Sequence, residues 1–244
     1  MKPKPYYTEE NVTIYHGDCR EILPLLHPVD VVLTDPVWPD CERIFPDVDA
    51  WEVFSEAAGY FPKLCKRLVV ILGCDSDPRF LSAVPASMPF YRVCWMRFIP
   101  PRRRGTLLAG ADMAYIFGAR YRGWRKRVLP GETTARFHPD TPPPEVFPCS
   151  RNFYHLEWLV EEYTRPGALV LDPFAGGGST VIACKKKGRG VIAIEKVESS
   201  CALIVDQVQR ARFQERATYG KESPFEPKRV GLVPWKKHGK AKSK

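Results

Sequence analysis

Leu171-Asp172-Pro173-Phe174-Ala175-Gly176-Gly177-Gly178-Ser179-Thr180 decides how this chain folds. The apolar run before it, Ala168-Leu169-Val170-Leu171, reads as a buried parallel strand, and the pattern from Thr180 to Lys187 reads as a helix. Strand, glycine turn and helix form the layout of a nucleotide-type site, because glycines let the backbone approach a ligand and the helix start offers free N–H groups. Asp172 ends the strand, at the edge where open α/β sheets bind ligands. A second strand, Gly190-Val191-Ile192-Ala193-Ile194, runs into Glu195. That acid falls roughly 20 residues past the first glycine, the spacing of a ribose-binding carboxylate. No Gly-Lys-Ser/Thr follows the glycines, so the stretch is not a γ-phosphate loop.

Working outward, Val12-Thr13-Ile14-Tyr15, Val29-Asp30-Val31-Val32-Leu33 and Leu68-Val69-Val70-Ile71-Leu72-Gly73 read as further strands. Helices are expected over 19–26, 51–65, 153–163 and 199–213. Residues 92–99 and 113–117 read as two more strands, flanking a loop at Pro100-Pro101-Arg102-Arg103-Arg104-Gly105. From 119 to 148 the chain is basic and then proline-rich, without clean periodicity. Alternating strands and helices predict an α/β fold, a mostly parallel sheet of about seven strands with helices on both faces. Asp35 also ends a buried strand, so Asp35 and Asp172 are expected to face one crevice.

The net charge of the 244 residues is +9, and its placement carries the information. Between Tyr91 and Pro130 lie ten Arg and Lys and a single acid, Asp112; from Lys228 onward there are seven cations and no acid. Such concentration points to a polyanionic partner. Arg102, Arg103, Arg104, Arg120, Arg122 and Arg125, interleaved with aromatics, are the candidates for contacting that polyanion, and the tail from 221 reads as basic and poorly ordered. Eight scattered cysteines without a C-x-x-C pair read as reduced core residues, and the five histidines have no ligand-like spacing, so no metal is expected. No apolar run reaches the length of a membrane span, and Met1-Lys2-Pro3-Lys4-Pro5 lacks the apolar core of a leader. A cytoplasmic location is therefore expected.

Thr34-Asp35-Pro36-Val37-Trp38 resembles the catalytic motif of amino-group nucleic-acid methyltransferases, Asp/Asn/Ser-Pro-Pro-Tyr/Phe/Trp. Asp172-Pro173-Phe174-Ala175-Gly176-Gly177-Gly178-Ser179 is similar to their S-adenosylmethionine loop. With the catalytic motif early, the glycine loop late and a basic segment between, the order is similar to the β class of bacterial and phage DNA methyltransferases. The resemblance runs from about Val12 to Val208 and takes in His16-Gly17-Asp18-Cys19, Met113 to Gly118, and Phe147-Pro148-Cys149-Ser150-Arg151-Asn152 where the family has His-Pro-x-x-Lys-Pro. Val37 replaces the motif's second proline, and Phe147 and Asn152 depart from the later segment.

The resemblance implies a Rossmann-like methyltransferase fold with circularly permuted motif order. It implies one catalytic domain over 1–220, with a small target-recognition insertion at about 100–148. It implies methyl transfer from S-adenosyl-L-methionine to the exocyclic amine of a flipped-out base in double-stranded DNA. Asp in the first motif position is similar to the adenine-N6 members; cytosine N4 is the alternative. Asp35 and the Pro36 carbonyl would accept the two amine N–H bonds, freeing the nitrogen lone pair, and Trp38 would stack on the base. Asp18, Arg151, Asp172, Phe174, Gly176, Gly178, Ser179, Thr180 and Glu195 would hold the cofactor. The setting would be a bacterial or phage-infected cell, for restriction-modification or related DNA methylation, with a homodimer as one possible assembly. A catalytically inactive nucleic-acid-binding protein on the same scaffold is the competing reading, favoured by Val37, and RNA is a third substrate class.

Overall fold

The computed structural model describes residues 3–39, 41, 46–104, 106–120, 129–136, 141, 146, 147 and 149–211. Among these lie nine strands: β1 (Tyr7–Glu9), β2 (Val12–His16), β3 (Val31–Thr34), β4 (Arg67–Gly73), β5 (Phe90–Arg104), β6 (Leu107–Gly118), β7 (Glu132–Ala135), β8 (Leu169–Asp172) and β9 (Gly190–Glu195). The helices are α1 (Cys19–Ile22), α2 (Ala50–Ala58), α3 (Phe61–Leu64), α4 (Phe153–Tyr163), α5 (Ser179–Lys186) and α6 (Glu198–Arg210). All strands join one sheet in the order β1-β2-β9-β8-β3-β4-β6-β5-β7.

The middle five strands, β2, β9, β8, β3 and β4, pair in parallel. Parallel central strands are covered on both faces, and β3 is buried at every residue while β4 is buried from Leu68 to Gly73. From β8 the chain passes through α5 to β9 on one side; from β3 it passes through α2 to β4 on the other. Right-handed crossovers in opposite directions put α5 and α2 on opposite faces. The point where the direction reverses, between β8 and β3, is where such sheets open a crevice.

The sheet has nine strands where about seven were expected. The two extra ones, β1 and β7, are short edge strands of three and four residues, too brief to show an alternation in sequence. The Pro100–Gly105 loop also needs correction. β5 continues through Pro100 and Pro101 to Arg104, because its pairing with β6 shifts register between Arg97 and Arg102. Prolines are tolerated in such a bulge, where no ladder N–H is required. The strand expected over 113–117 is present and longer, as β6 over 107–118, and it pairs with β4 inside the main sheet. The 51–65 helix divides into α2 and α3 at Gly59-Tyr60, and 19–26 is one α-helical turn followed by a 3-10 turn. Six of the cysteines are buried, Cys149 is half-buried and Cys74 is exposed. No helix of the described residues is long and apolar enough to cross a membrane. The tail from 221 lies outside the described residues.

Candidate active site

A cleft of about 310 Å³ runs along the carboxyl edge of the central strands, from Gly17 and Asp18 past the glycine loop to Asp35 and Trp38. Asp172 is the last residue of β8 and Asp35 follows the last residue of the neighbouring β3. The expected common crevice is therefore present, and both acids line it. Thr34 Oγ1 donates to Asp172 Oδ1 at 2.9 Å, joining the two strand ends.

The glycine loop has its shape for local reasons. Gly176 and Gly178 adopt φ of 51° and 84°, in the left-handed region that favours glycine. Gly178 is the N-cap of α5, and a Cβ there would meet Ile204 of α6 at 2.9 Å. A Cβ on Gly177 would meet the Phe147 ring, also at 2.9 Å. The missing side chains let α6 and Phe147 close on the loop. Glu195, at the end of β9, accepts from Gly176 N at 2.7 Å and from Val197 N at 2.8 Å. The acid placed by spacing thus braces the first turn of the loop. Burial pushes its carboxyl above the usual range against the pull of these N–H groups.

Asp172 is 2 % exposed, and burial pushes its carboxyl up to about 7, although Thr180, the Phe174 N–H and Thr34 all donate to it. Asp18 is the opposite case. It caps α1 by accepting from Arg20 N, and its carboxylate is paired with the Arg20 guanidinium at 2.8 Å and Lys196 at 3.4 Å. The Arg20 hydrogen bonds hold it well below the usual carboxylate range.

At the other end of the cleft, Trp38 is 2 % exposed. Its Nε1 donates to Asp35 Oδ1 at 2.9 Å and to the Ile71 carbonyl at 3.1 Å. The ring rests over Gly73 at the end of β4, where any Cβ would be 2.4 Å from it. The Arg151 guanidinium lies over the ring, 3.8 Å from its centroid. Trp38, expected as a stacking platform for a base, is thus a covered side chain here. Arg151, expected at the cofactor, lines the same cleft and bonds Asp35: Nε donates to Oδ2 and Nη2 to Oδ1, the latter at 3.2 Å. Its Nη1 lies 3.8 Å from Asp112 Oδ2. Burial raises the Asp35 carboxyl above the usual range, and the Arg151 charge acts against that rise. Asn152, standing where the motif has proline, caps α4 by accepting from Tyr154 N at 3.0 Å. Ser179 Oγ accepts from Arg151 N at 3.3 Å, so the arginine is also tied to the start of α5.

Asp112, Thr34 and Phe147 were not among the expected site residues. Asp112 had a signal, as the one acid among ten cations. Thr34 had only its place beside Asp35. Of the arginines expected at DNA, Arg102, Arg103 and Arg104 end β5, and Arg103 and Arg120 are exposed. Arg122 and Arg125 lie outside the described residues.

Residues 113–206 match a family model for N6 and N4 methyltransferases described as DNA methylase. The match includes the glycine loop and Glu195 but not Asp35. Over 51 residues the chain is 47% identical to YubD, a candidate methylase of Escherichia coli (strain K12); this spans 21% of the chain and 22% of YubD. The fold is that of M1.HpyAVI, solved with SAM, at a TM-score of 0.62 and 20% identity over 81% of this chain and 99% of that one. A candidate DNA modification methylase from Thermus thermophilus, solved with S-adenosyl-L-methionine, gives a TM-score of 0.59 and 18% identity over 83% and 96% of the chains. The cytosine-N4-specific PvuII DNA methyltransferase gives 0.56 and 16% over 86% and 95%. Over the stretches they cover, the family model and the sequence relative are similar to this chain and are both methylases, and the solved structures with the same Rossmann-like fold are DNA methyltransferases.

Proposed function

We propose that this chain is an S-adenosyl-L-methionine-dependent DNA methyltransferase acting on the exocyclic amine of a flipped-out base, with adenine N6 as target and cytosine N4 as the alternative. The observation that carries this reading is the meeting of Asp35 and Asp172 in one cleft, at the carboxyl ends of adjacent parallel strands, with the glycine loop between them and Glu195. The residues fit the cofactor. A buried Asp172 shifted to about 7 is a site that a ligand ammonium would bring back to ionisation, and the start of α5 offers N–H groups to a carboxylate. Glu195 would accept from ribose hydroxyls, and Asp18, which lines the same cleft, would face the adenine end. When bound, the cofactor supplies an activated methyl group on a sulfonium.

Asp35 and the Pro36 carbonyl are acceptors without protons of their own. An amine that donates both N–H bonds to them is drawn toward a pyramidal nitrogen whose lone pair is free to attack. Rate then comes from placing that nitrogen in line, and no covalent intermediate with the protein is needed. The amine proton released afterwards has Asp35 beside it as acceptor.

The second reading, a nucleic-acid-binding protein without catalysis, is favoured by Val37 and by the engagement of Asp35 with Arg151. Radiolabelled methyl transfer to DNA of mixed sequence, followed by nucleoside identification, separates the two and names the base. Label in N6-methyladenine or N4-methylcytosine supports the enzyme. No label in wild type, with label appearing in Val37→Pro, supports the scaffold.

A further inference from the structure

The base slot already has an occupant from the chain itself. Arg151 lays a flat guanidinium 3.8 Å from the Trp38 ring centroid and directs Nε and Nη2 to Asp35. A ring to stack on and a carboxylate to accept in-plane N–H groups are the contacts an amine-bearing base requires. A guanidinium and the amine edge of adenine or cytosine share that shape: planar, with N–H donors in the plane. Trp38 Nε1 also donates to Asp35 Oδ1, so both carboxylate oxygens are engaged in the free protein. On the far side of Arg151, Nη1 is 3.8 Å from Asp112 Oδ2, a buried acid of β6 placed opposite Gly73. An arginine leaving Asp35 therefore keeps a carboxylate beside it and is not stranded as a buried charge.

We infer that Arg151 is a built-in stand-in for the substrate base, filling the Asp35–Trp38 slot in the free protein and yielding it by moving toward Asp112. The identity of the displaced group as a base rests on the methyltransferase reading. Arg151 then sets specificity as well as access. A base enters only when the rest of the nucleic acid supplies the energy to displace the guanidinium, so free nucleosides are refused. The cation also acts against the rise that burial imposes on the Asp35 carboxyl. The Arg151 backbone N–H donates to Ser179 Oγ, so the arginine is anchored beside the start of α5, where the cofactor is proposed to bind, while its side chain exchanges partners.

The test compares wild type with Arg151→Ala, full chain in each case, by calorimetry with methylguanidinium, deoxyadenosine, deoxycytidine and thymidine. The variant should bind methylguanidinium and at least one of the two amine-bearing nucleosides tenfold or more tighter than wild type, with no gain for thymidine. Adding Asp35→Asn should remove the gain, which a mere cavity would not require. Should Arg151→Ala fail to fold, Arg151→Lys keeps the charge without the plane and should show a smaller gain of the same pattern. A folded variant with no gain for either amine nucleoside overturns the inference, as does wild type that binds nucleosides as tightly as the variant. Gain of nucleoside binding in a protein that transfers no methyl group to DNA would leave the stand-in role in place and remove the enzymatic reading instead.

Discussion

Thr34 and Asp172, 138 residues apart in sequence, are joined by a 2.9 Å hydrogen bond from the threonine Oγ1 to the carboxylate Oδ1. Through it the strand leading to Asp35 holds the acid that begins the glycine loop. That acid is buried and shifted from an ordinary 3.8 to about 7. Its folded form takes up a proton more readily than the unfolded chain. The associated stability is full below about pH 4 and is lost as pH rises through 7, as much as ~4 kcal/mol. Asp172→Asn should therefore melt higher than wild type at pH 8 and show no gain at pH 4, while binding S-adenosylmethionine more weakly. Thermal melts of the ligand-free protein at both pH values check the sign, and an equal gain at pH 4 would refute it.

Glu195 braces Gly176 and Val197 as well as facing the cleft. Losing a charged acceptor costs about 1.5–3 kcal/mol, so Glu195→Ala should lower cofactor affinity roughly ten- to hundredfold. Glu195→Gln keeps one acceptor oxygen and should lose less. Calorimetry with S-adenosylmethionine decides, and unchanged affinity in the alanine variant would remove Glu195 from the cofactor site.

Gly178 combines a φ of 84° with close packing of α6, where an added Cβ would come within 2.9 Å of Ile204. Gly178→Ala forces a left-handed non-glycine residue, costing about 1–3 kcal/mol, and drives a methyl against Ile204. Chemical denaturation should show that loss. Gly167→Ala, at a φ of 74° with open space around its Cβ, should show the backbone cost without the packing cost.

Asp35→Ala should reduce methyl transfer about 10²–10³-fold, as for loss of a single transition-state hydrogen-bonding partner, with cofactor affinity nearly unchanged. The same change leaves Arg151 with the Asp112 carboxylate at its Nη1. Single-turnover methylation beside cofactor calorimetry separates the two effects; a parallel fall in both would place Asp35 at the cofactor.

Arg103 and Arg120 are exposed on the basic stretch between Tyr91 and Pro130. If they contact phosphates, each change to Ala should reduce the salt dependence of DNA binding by about one phosphate's worth and leave the methylated sequence alone. Removal of the residues from Lys236 onward should behave likewise. A change of the methylated site in either case would assign these cations to base reading.

Features that depend on near neighbours were legible in the chain alone. The strands ending in Asp35 and Asp172 are short apolar runs, the loop after Asp172 is made of glycines, and Glu195 falls at the spacing of one helix and one strand, so each could be read from local pattern. The number of strands was less so, because three- and four-residue edge strands carry no period and the β5 bulge hides behind two prolines. The tertiary structure alone settled who meets Asp35. Arg151 lies 116 residues away and comes to it because it leads into α4, which packs against α5, and its backbone is tied to Ser179 at the start of α5. Trp38, which local sequence offers as an open ring, is buried, with Gly73 packed against it and that arginine over its ring. Side-chain pairing across the sheet is set by strand order and helix packing, which are long-range, and a residue's type limits what it can bond without saying which partner the fold will bring.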